Sequence, residues 1–493
     1  MVIHNKDMDN QAVLDQMVGN ARKALAELSK FDQEGIDKLC KAALDAFVKV
    51  GEQLAKEAVE ETGMGEVQYK IMKNLGTPSG VYWGIKGMKT IGILGHDEKY
   101  GLTYVAHPKG NISAVIPTTN PNMSVLVNGI YALKGANVMI CAPHPRAKIS
   151  TAKTCQILED AIVAAGGPAN VFQCVDAPNI ELTQAMMHAS DTVLGTGGPD
   201  MVKAAYSSGK PAYGVGAGNS QSIFDPDYKD LSGGLDAFLM GNTFDNGIVC
   251  ACNRCIIAPK SIMPQILDLL KQKNVYWVDD PKTVAHIREV CFPNGFGKLN
   301  GAIVGQNVQK VAEMLGLTIP ADTVSIGVKI EKTGFDEPLT REKMFPLFTV
   351  LECEDFKDGV RMAKENLLAE GAGHSSIVFS DNKENIEYAG IELPVSRLLV
   401  AQPGMGCANA FNNNGLFPTS TLGCGSWGGN SISENLTPMH LINISRIAYV
   451  RDTAPTEDEI WNGDAAFGRT MYQLFTTQSM TQFPFDRGSR SPG

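Results

Sequence analysis

Apolar residues recur at helical spacing through residues 10–75. Leu25 and Leu28, then Ile36, Leu39, Ala43 and Phe47, fall three or four positions apart in segments rich in Ala, Leu, Lys and Glu. This spacing predicts two or three amphipathic helices, laid over a domain as a plain helical layer. From about residue 100 the period changes. Leu102–Ala106 alternates as a strand does and stops at Pro108-Lys-Gly110. Short apolar runs then alternate with helical ones. Ile112–Ile116 leads into Pro117-Thr-Thr-Asn-Pro121 and a helical run, and Asn137–Cys141 leads into Ala142-Pro-His-Pro145 and another. Val171–Cys174, Thr192–Leu194 and Ala212–Val215 continue the series. Strand, turn and helix repeated this way predict a parallel, doubly wound α/β sheet.

A second α/β block begins near 230. Its strand-like runs are Arg254–Ala258, Val324–Val328, Leu347–Leu351 and Ser376–Phe379. A Gly/Asn-rich region over 403–435 follows, and then a late strand, Leu441–Val450. The part after about 470 is polar and reads as a loose tail. No internal repeat is visible.

Composition narrows the class. A chain of 493 residues, 44% of them hydrophobic, can bury large cores in two or three domains. A formal net charge of −10 argues against nucleic acid as the main partner, because phosphate recognition needs a dense basic patch. No apolar run approaches the roughly 20 residues that span a bilayer. The polar N-terminus does not resemble a secretory signal, so a cytoplasmic protein is expected, with no membrane partner. The 11 cysteines are odd in number and scattered, which suits free thiols rather than a disulfide frame.

The segment with most chemistry in it is Asn242-Thr-Phe-Asp-Asn-Gly-Ile-Val-Cys250. A cysteine closes an apolar run after a polar, glycine-containing turn. That arrangement holds a sulfur firmly yet reachable from a cleft, and a thiolate there needs only a modest pKa drop to act as nucleophile. Gly195-Thr-Gly-Gly-Pro-Asp200 turns from a strand into a helix, where backbone approaches an anionic ligand closely. It is not the full dinucleotide fingerprint, and a tight turn explains it equally. Gly214-Val-Gly-Ala-Gly-Asn-Ser220 is a second such turn. Cys250-Ala-Cys-Asn-Arg-Cys255 lacks the second half and the histidines of a zinc site, so no metal is expected; Cys252 and Cys255 should pack in or beside the next strand. His374 lies between small residues that would let it project into a cleft.

Seven segments, in order, resemble the CoA-acylating branch of the aldehyde dehydrogenase superfamily over roughly residues 10–462. They are Pro117–Pro121, Ala142–Lys148, Ala204–Pro211, Phe244–Cys250, Arg341–Pro346, Glu370–His374, and Leu422–Gly428 with Asn430–Asn435. The similarity is greatest to succinate-semialdehyde and sulfoacetaldehyde members and to the aldehyde half of bifunctional aldehyde–alcohol dehydrogenases. The resemblance implies an α/β fold of two doubly wound parallel-sheet domains plus a β-arm. The dinucleotide-binding domain would span 1–235, with a hairpin arm at about 98–111. The catalytic domain would span 236–435, an oligomerisation strand 436–465 and a C-terminal tail 466–493. A homodimer or homotetramer is expected, because exposed edge strands usually pair. Association with a bacterial microcompartment is compatible with this reading.

The resemblance also implies the chemistry. Cys250 attacks the aldehyde to give a thiohemiacetal, hydride passes to NAD or NADP, and CoA cleaves the resulting thioester to release acyl-CoA, all reversibly. The family's coenzyme segments fall here on Thr118, Pro143, His144, Pro145, Arg146, Thr196, Gly197, Gly198, Gly216, Glu342 and Phe345, with Glu342 on the nicotinamide-side ribose. His374 matches a histidine at the active-site mouth. Two columns depart from hydrolytic relatives. Their general-base glutamate is replaced by Val215, which favours thiolysis, since CoA needs no base to the extent that water does. Their oxyanion-binding asparagine column reads Thr119, with Asn120 next. Such a donor is worth about 2.7–4 kcal/mol, and Thr119, Asn120 and the Cys250 N–H are expected to share the role.

Within the branch, Asn253 and Arg254 replace a usual Glu-Gln pair. Arg254 would then bind an anionic aldehyde such as sulfoacetaldehyde or succinate semialdehyde. A pairing of Arg254 with a structural carboxylate stands equally open. A neutral short aldehyde as substrate is the runner-up, and a non-catalytic assembly protein of the same fold is the rival that the intact Cys250, Glu342 and Gly197 argue against. Arg146 and Lys148 are placed to meet the 2′-phosphate of NADP, but the same segment occurs in NAD-using relatives and does not decide the coenzyme.

Overall fold

The computed structural model describes residues 1–98, 100–409 and 414–450. The expected tail at 466–493, and the part of the expected oligomerisation strand after 450, lie outside the described residues. No helix among those residues is long and apolar enough to cross a membrane.

Three helices, Asn10–Leu28, Gln33–Thr62 and Val67–Ile85, account for the periodicity read at 10–75. Asp9 and Asp32 cap the first two by accepting backbone N–H bonds, and Gly63, at φ 63°, ends the second in the left-handed region that glycine enters freely. The strands of the N-terminal half are β1 (Val2–Ile3), β2 (Gly92–Asp97), β3 (Leu102–Pro108), β4 (Asn111–Ile116), β5 (Val138–Pro143), β6 (Phe172–Val175), β7 (Thr192–Thr196) and β8 (Ala212–Val215). Those of the C-terminal half are β9 (Ser220–Phe224), β10 (Asn253–Pro259), β11 (Val275–Val278), β12 (Ser325–Lys329), β13 (Leu347–Cys353), β14 (Gly373–Phe379), β15 (Val395–Val400) and β16 (Ile442–Ala448).

Two compact units are formed. The larger comprises Met1–Gly92 and His107–Asn443. It holds two parallel sheets, in the orders β1-β6-β5-β4-β7-β8 and β11-β12-β13-β10-β9-β14-β15. Their central strands are buried on both faces, as crossover helices on each side require: β4, β5, β9, β10 and β14 are buried throughout. The second sheet starts earlier than position 230. β9 already pairs with β10 and β14, so the chain leaves the first sheet at Val215 and enters the second at Ser220. The smaller unit comprises Ile93–Ala106 and the chain from Ile444. It is built on the three-stranded sheet β16-β3-β2, whose first strand in the chain begins at Gly92.

The first sheet has the geometry of a ligand crevice. Its order reverses between β4 and β7, and ligands of doubly wound sheets lie at that switch point, outside the carboxyl ends of the strands. β4 ends before Pro117–Asn120, and β7 ends at Thr196, before Gly197 and Gly198.

Candidate active site

The helix Leu231–Thr243 delivers the chain to a turn that most side chains would not accept. Asp245, Asn246 and Gly247 stand in succession at φ 51°, 53° and 70°. Three consecutive left-handed residues persist only when their surroundings hold them. Four anchors do so. The Asp245 carboxylate accepts from the Glu66 N–H at 2.8 Å and from Lys70 Nζ at 3.1 Å, and also pairs with Lys73. Asn246 Nδ2 donates to the carbonyls of Gly65 and Gly305, both at 3.1 Å. Gly65 must be glycine, because a Cβ there would sit 2.2 Å from Asp245 Oδ1. Arg254, at the start of β10, donates to the Gly247 carbonyl at 2.8 Å and to the Val249 carbonyl at 2.9 Å.

Cys250 follows this turn and keeps partial exposure, alone among the 11 cysteines, none of which is disulfide-bonded. Gly218 packs directly on its backbone: a Cβ at 218 would lie 1.8 Å from the Cys250 carbonyl oxygen. Burial pushes the Cys250 thiol up to about 12, helped by the nearby Glu342 carboxyl and opposed by Arg254. The resting Cys250 side chain is therefore a thiol, not the readily ionised group that the sequence suggested. Cys252 and Cys255 are wholly buried, before and within β10, as expected.

Glu342 accepts from the Gly218 N–H at 3.3 Å and lies 3.8 Å from Arg254. Burial pushes its carboxyl up to about 8, against the opposing pull of Arg254. Thr119 and Asn120 sit together at the mouth of β4. The Thr119 carbonyl accepts from Lys70 at 3.0 Å, and Asn120 accepts from Lys73 through Oδ1 while donating to Thr119 Oγ1 at 3.3 Å.

Several of the residues named from sequence for the coenzyme stand at the carboxyl ends of the first sheet's strands. Thr118 follows β4, Pro143 ends β5, and His144, Pro145 and Arg146 are exposed beyond it. Thr196, Gly197 and Gly198 form the β7 turn. A Cβ at Gly198 or Gly216 would meet no atom within 4 Å, so both leave open backbone for a ligand to approach. These glycines and the switch point fit a dinucleotide.

Three expectations need correction. Arg254 is not a ligand for an anionic aldehyde in an open cleft. It is fully buried, its guanidinium fixed on the Gly247 and Val249 carbonyls beside Glu342. Phe345 is not a coenzyme contact. It is fully buried in the core of the second sheet, and its backbone backs Gly247. His374 does not project from a cleft mouth. It lies buried in β14, with Nδ1 bonded to Ser375 Oγ at 2.8 Å, and burial with the Arg397 charge holds it well below the usual histidine range, hence neutral.

The sequence reading missed several residues here. Glu61, Lys70 and Lys73 belong to helices taken as a plain covering layer, yet they reach the turn and the coenzyme loop. The sequence carried little signal for them: Lys70 is 3% exposed, but it shares its buried helix face with Asn74 and Thr77, so no break in an apolar stripe marks it. Arg397 was missed too. It donates to the His374 carbonyl at 2.7 Å and to the Gly423 carbonyl at 2.8 Å, tying the Gly-rich region to β14.

A partly exposed thiol packed against Gly218, with open glycine turns at the switch point of a doubly wound sheet, fits the aldehyde dehydrogenase class. The chain belongs to the aldehyde dehydrogenase family, whose model matches residues 2–293. It is 42% identical over 457 residues to the succinate-semialdehyde dehydrogenase (acetylating) of Clostridium kluyveri, covering 92% of this chain and 100% of that protein. It is 38% identical over 445 residues to the bifunctional aldehyde-alcohol dehydrogenase of Escherichia coli K12, covering 89% of this chain and 50% of the relative, so it spans about half of that longer protein. Among solved structures, an acetylating aldehyde dehydrogenase from Geobacillus thermoglucosidasius superposes with a TM-score of 0.87 at 32% identity, over 92% of this chain and 100% of the other.

Proposed function

We propose that this chain is an NAD(P)-dependent, CoA-acylating dehydrogenase of a short anionic aldehyde, with Cys250 as nucleophile. The observation that carries the CoA-dependent reading is Val215. An apolar side chain, 3% exposed, ends β8 where hydrolytic relatives place the base that activates water. Nothing at that position can take a proton from water, whereas CoA attacks as a thiolate. As the C–S bond to the aldehyde carbon forms, the Cys250 S–H bond breaks and its proton passes to solvent, and Thr119, Asn120 and the Cys250 N–H are the donors assigned to the new oxyanion. The bound coenzyme supplies the hydride acceptor and a positive ring that favours the thiolate. Glu342 and the turns at Thr196–Gly198 and Gly216 are assigned to holding it.

The anionic substrate is supported by charge, though not by Arg254. Lys70 and Lys73 share one carboxylate, Asp245, which leaves one unit of positive charge beside Thr119 and Asn120. Burial and the neighbouring Lys73 push Lys70 down to about 8, and Lys73 is the lysine that bonds the Asn120 side chain as well as Asp245. A homodimer or homotetramer is assigned to the exposed edges of β2 and β16.

The test is NAD(P)H formation with succinate semialdehyde, sulfoacetaldehyde and propanal, each with and without CoA. Strict CoA dependence is expected, with the anionic aldehydes preferred. In Lys73→Met that preference should fall about tenfold, the value of one lost ion pair near 1.4 kcal/mol. Turnover without CoA would refute the reading of Val215. A Lys73→Met enzyme that keeps its preference would refute the anion site.

A further inference from the structure

Glu61 stands in the last turn of the helix Gln33–Thr62, against the first turn of the helix that follows β5. Its Oε1 accepts from the Ile149 N–H at 2.7 Å. Its Oε2 accepts from the Ser150 N–H at 2.8 Å and the Ser150 hydroxyl at 2.6 Å. These donors open the helix Lys148–Ala164, which follows β5. Two further contacts fix the same junction. Arg146 donates to the Thr62 carbonyl at 3.0 Å, and Lys153 pairs with Glu57 at 2.6 Å.

The position matters because of the sheet order. β4 and β7 bound the switch point, and β5 is the next strand outward from β4. In doubly wound sheets the adenosine ribose of a dinucleotide reaches the end of that strand. An acidic side chain there accepts the ribose 2′-hydroxyl of NAD, while an arginine there accommodates the 2′-phosphate of NADP. In this chain, β5 and the residues after it, Pro143 to Lys148, contain no acid. The acid arrives instead from a helix distant in sequence.

We propose that Glu61 makes this enzyme select NAD over NADP. The proposal rests on the reading of the site as a nicotinamide-dependent dehydrogenase. The backbone N–H groups that would cradle a 2′-phosphate already hold a carboxylate. A phosphate must displace it or meet it as a like charge. A ribose hydroxyl instead donates to it, since Oε1 has one protein bond and a lone pair to spare. Arg146, the cation that the sequence offered for the phosphate, is turned to the Thr62 carbonyl.

Isothermal titration of the full chain with NAD+ and NADP+ tests this without turnover, and AMP against adenosine 2′,5′-bisphosphate isolates the phosphate. The wild type should bind NAD+ at least about tenfold tighter, the scale of one unfavourable charge contact in a partly exposed site. Glu61→Gln should narrow the ratio about tenfold by strengthening NADP+ and the bisphosphate. Ser150→Ala removes one bond to the carboxylate but keeps its charge, so it should leave the ratio on the NAD side; it also controls for loosening of the junction. An equal or greater affinity of the wild type for NADP+, or a ratio unmoved in Glu61→Gln with both coenzymes bound, would overturn the proposal alone. Failure of both coenzymes to bind the wild type would overturn the dehydrogenase reading, and this proposal with it.

Discussion

Replacing Arg254 by methionine separates a structural clamp from a substrate ligand. The guanidinium makes two charge-assisted bonds, to the Gly247 carbonyl at 2.8 Å and the Val249 carbonyl at 2.9 Å, and is fully buried. Bonds from a charged donor contribute about 1.5–3 kcal/mol each, so the pair holds the turn by about 3–6 kcal/mol. At about 1.4 kcal/mol per factor of ten, even the lower figure means more than a hundredfold faster local opening. Methionine fills similar volume but leaves both carbonyls without a donor. Amide hydrogen exchange, resolved to a peptide over 244–252, should therefore accelerate by about two orders of magnitude in Arg254→Met, while peptides of the first sheet stay unchanged. Catalysis should fall by the same factor for succinate semialdehyde and for propanal, because the fault lies in the placement of Cys250. An unchanged exchange rate, combined with a KM raised only for the anionic aldehyde, would refute this reasoning and restore Arg254 as a substrate ligand.

Two other outcomes follow from the same geometry. In Gly218→Ala the added methyl would lie 1.8 Å from the Cys250 carbonyl oxygen. Backbone cannot rotate away as a side-chain tip can, so kcat/KM should drop at least about a hundredfold, and activity near wild type would show the loop to be far softer than described. For Glu342, burial holds the folded-state carboxyl at about 8 against 4.5. Between those values the folded chain keeps a proton that the unfolded chain has released, so the stability from this group is full below 4.5 and is lost as pH rises to about 8. Thermal unfolding of Glu342→Gln across that window should show a flatter pH dependence than wild type; identical slopes would mean that Glu342 is not perturbed.

Much of the scaffold was legible in the sequence because its signals are local. The strands at 112–116, 137–141, 192–194 and 212–215 announce themselves as apolar runs closed by Gly or Pro, and each lies within a strand or a residue of one. β9 was not read, because Ser220-Gln-Ser-Ile-Phe224 is half polar. Its polar side chains depend on distant partners: Ser222 on Asn253, and the Gln221 side-chain carbonyl oxygen on Asn366. Cys250 and the crevice turns were singled out from residue type and order. The roles of Arg254, Phe345 and His374 were not, since each depends on burial fixed by the whole fold. A charged residue four positions past a nucleophile looks like a ligand until the carbonyls it serves are seen to lie behind it.

The anchoring of Asp245 by Lys70, Lys73 and Glu66 has a consequence for the order in which the enzyme becomes competent. During synthesis residues 66–73 leave the ribosome about 175 positions before the turn they hold. At roughly 5–20 residues per second, they have on the order of ten seconds or more to form helix before Asp245 appears. The nucleophile loop then closes onto a surface already made. A chain lacking its first helices would carry every residue of the Cys250 segment and still have nothing to keep three left-handed residues in line.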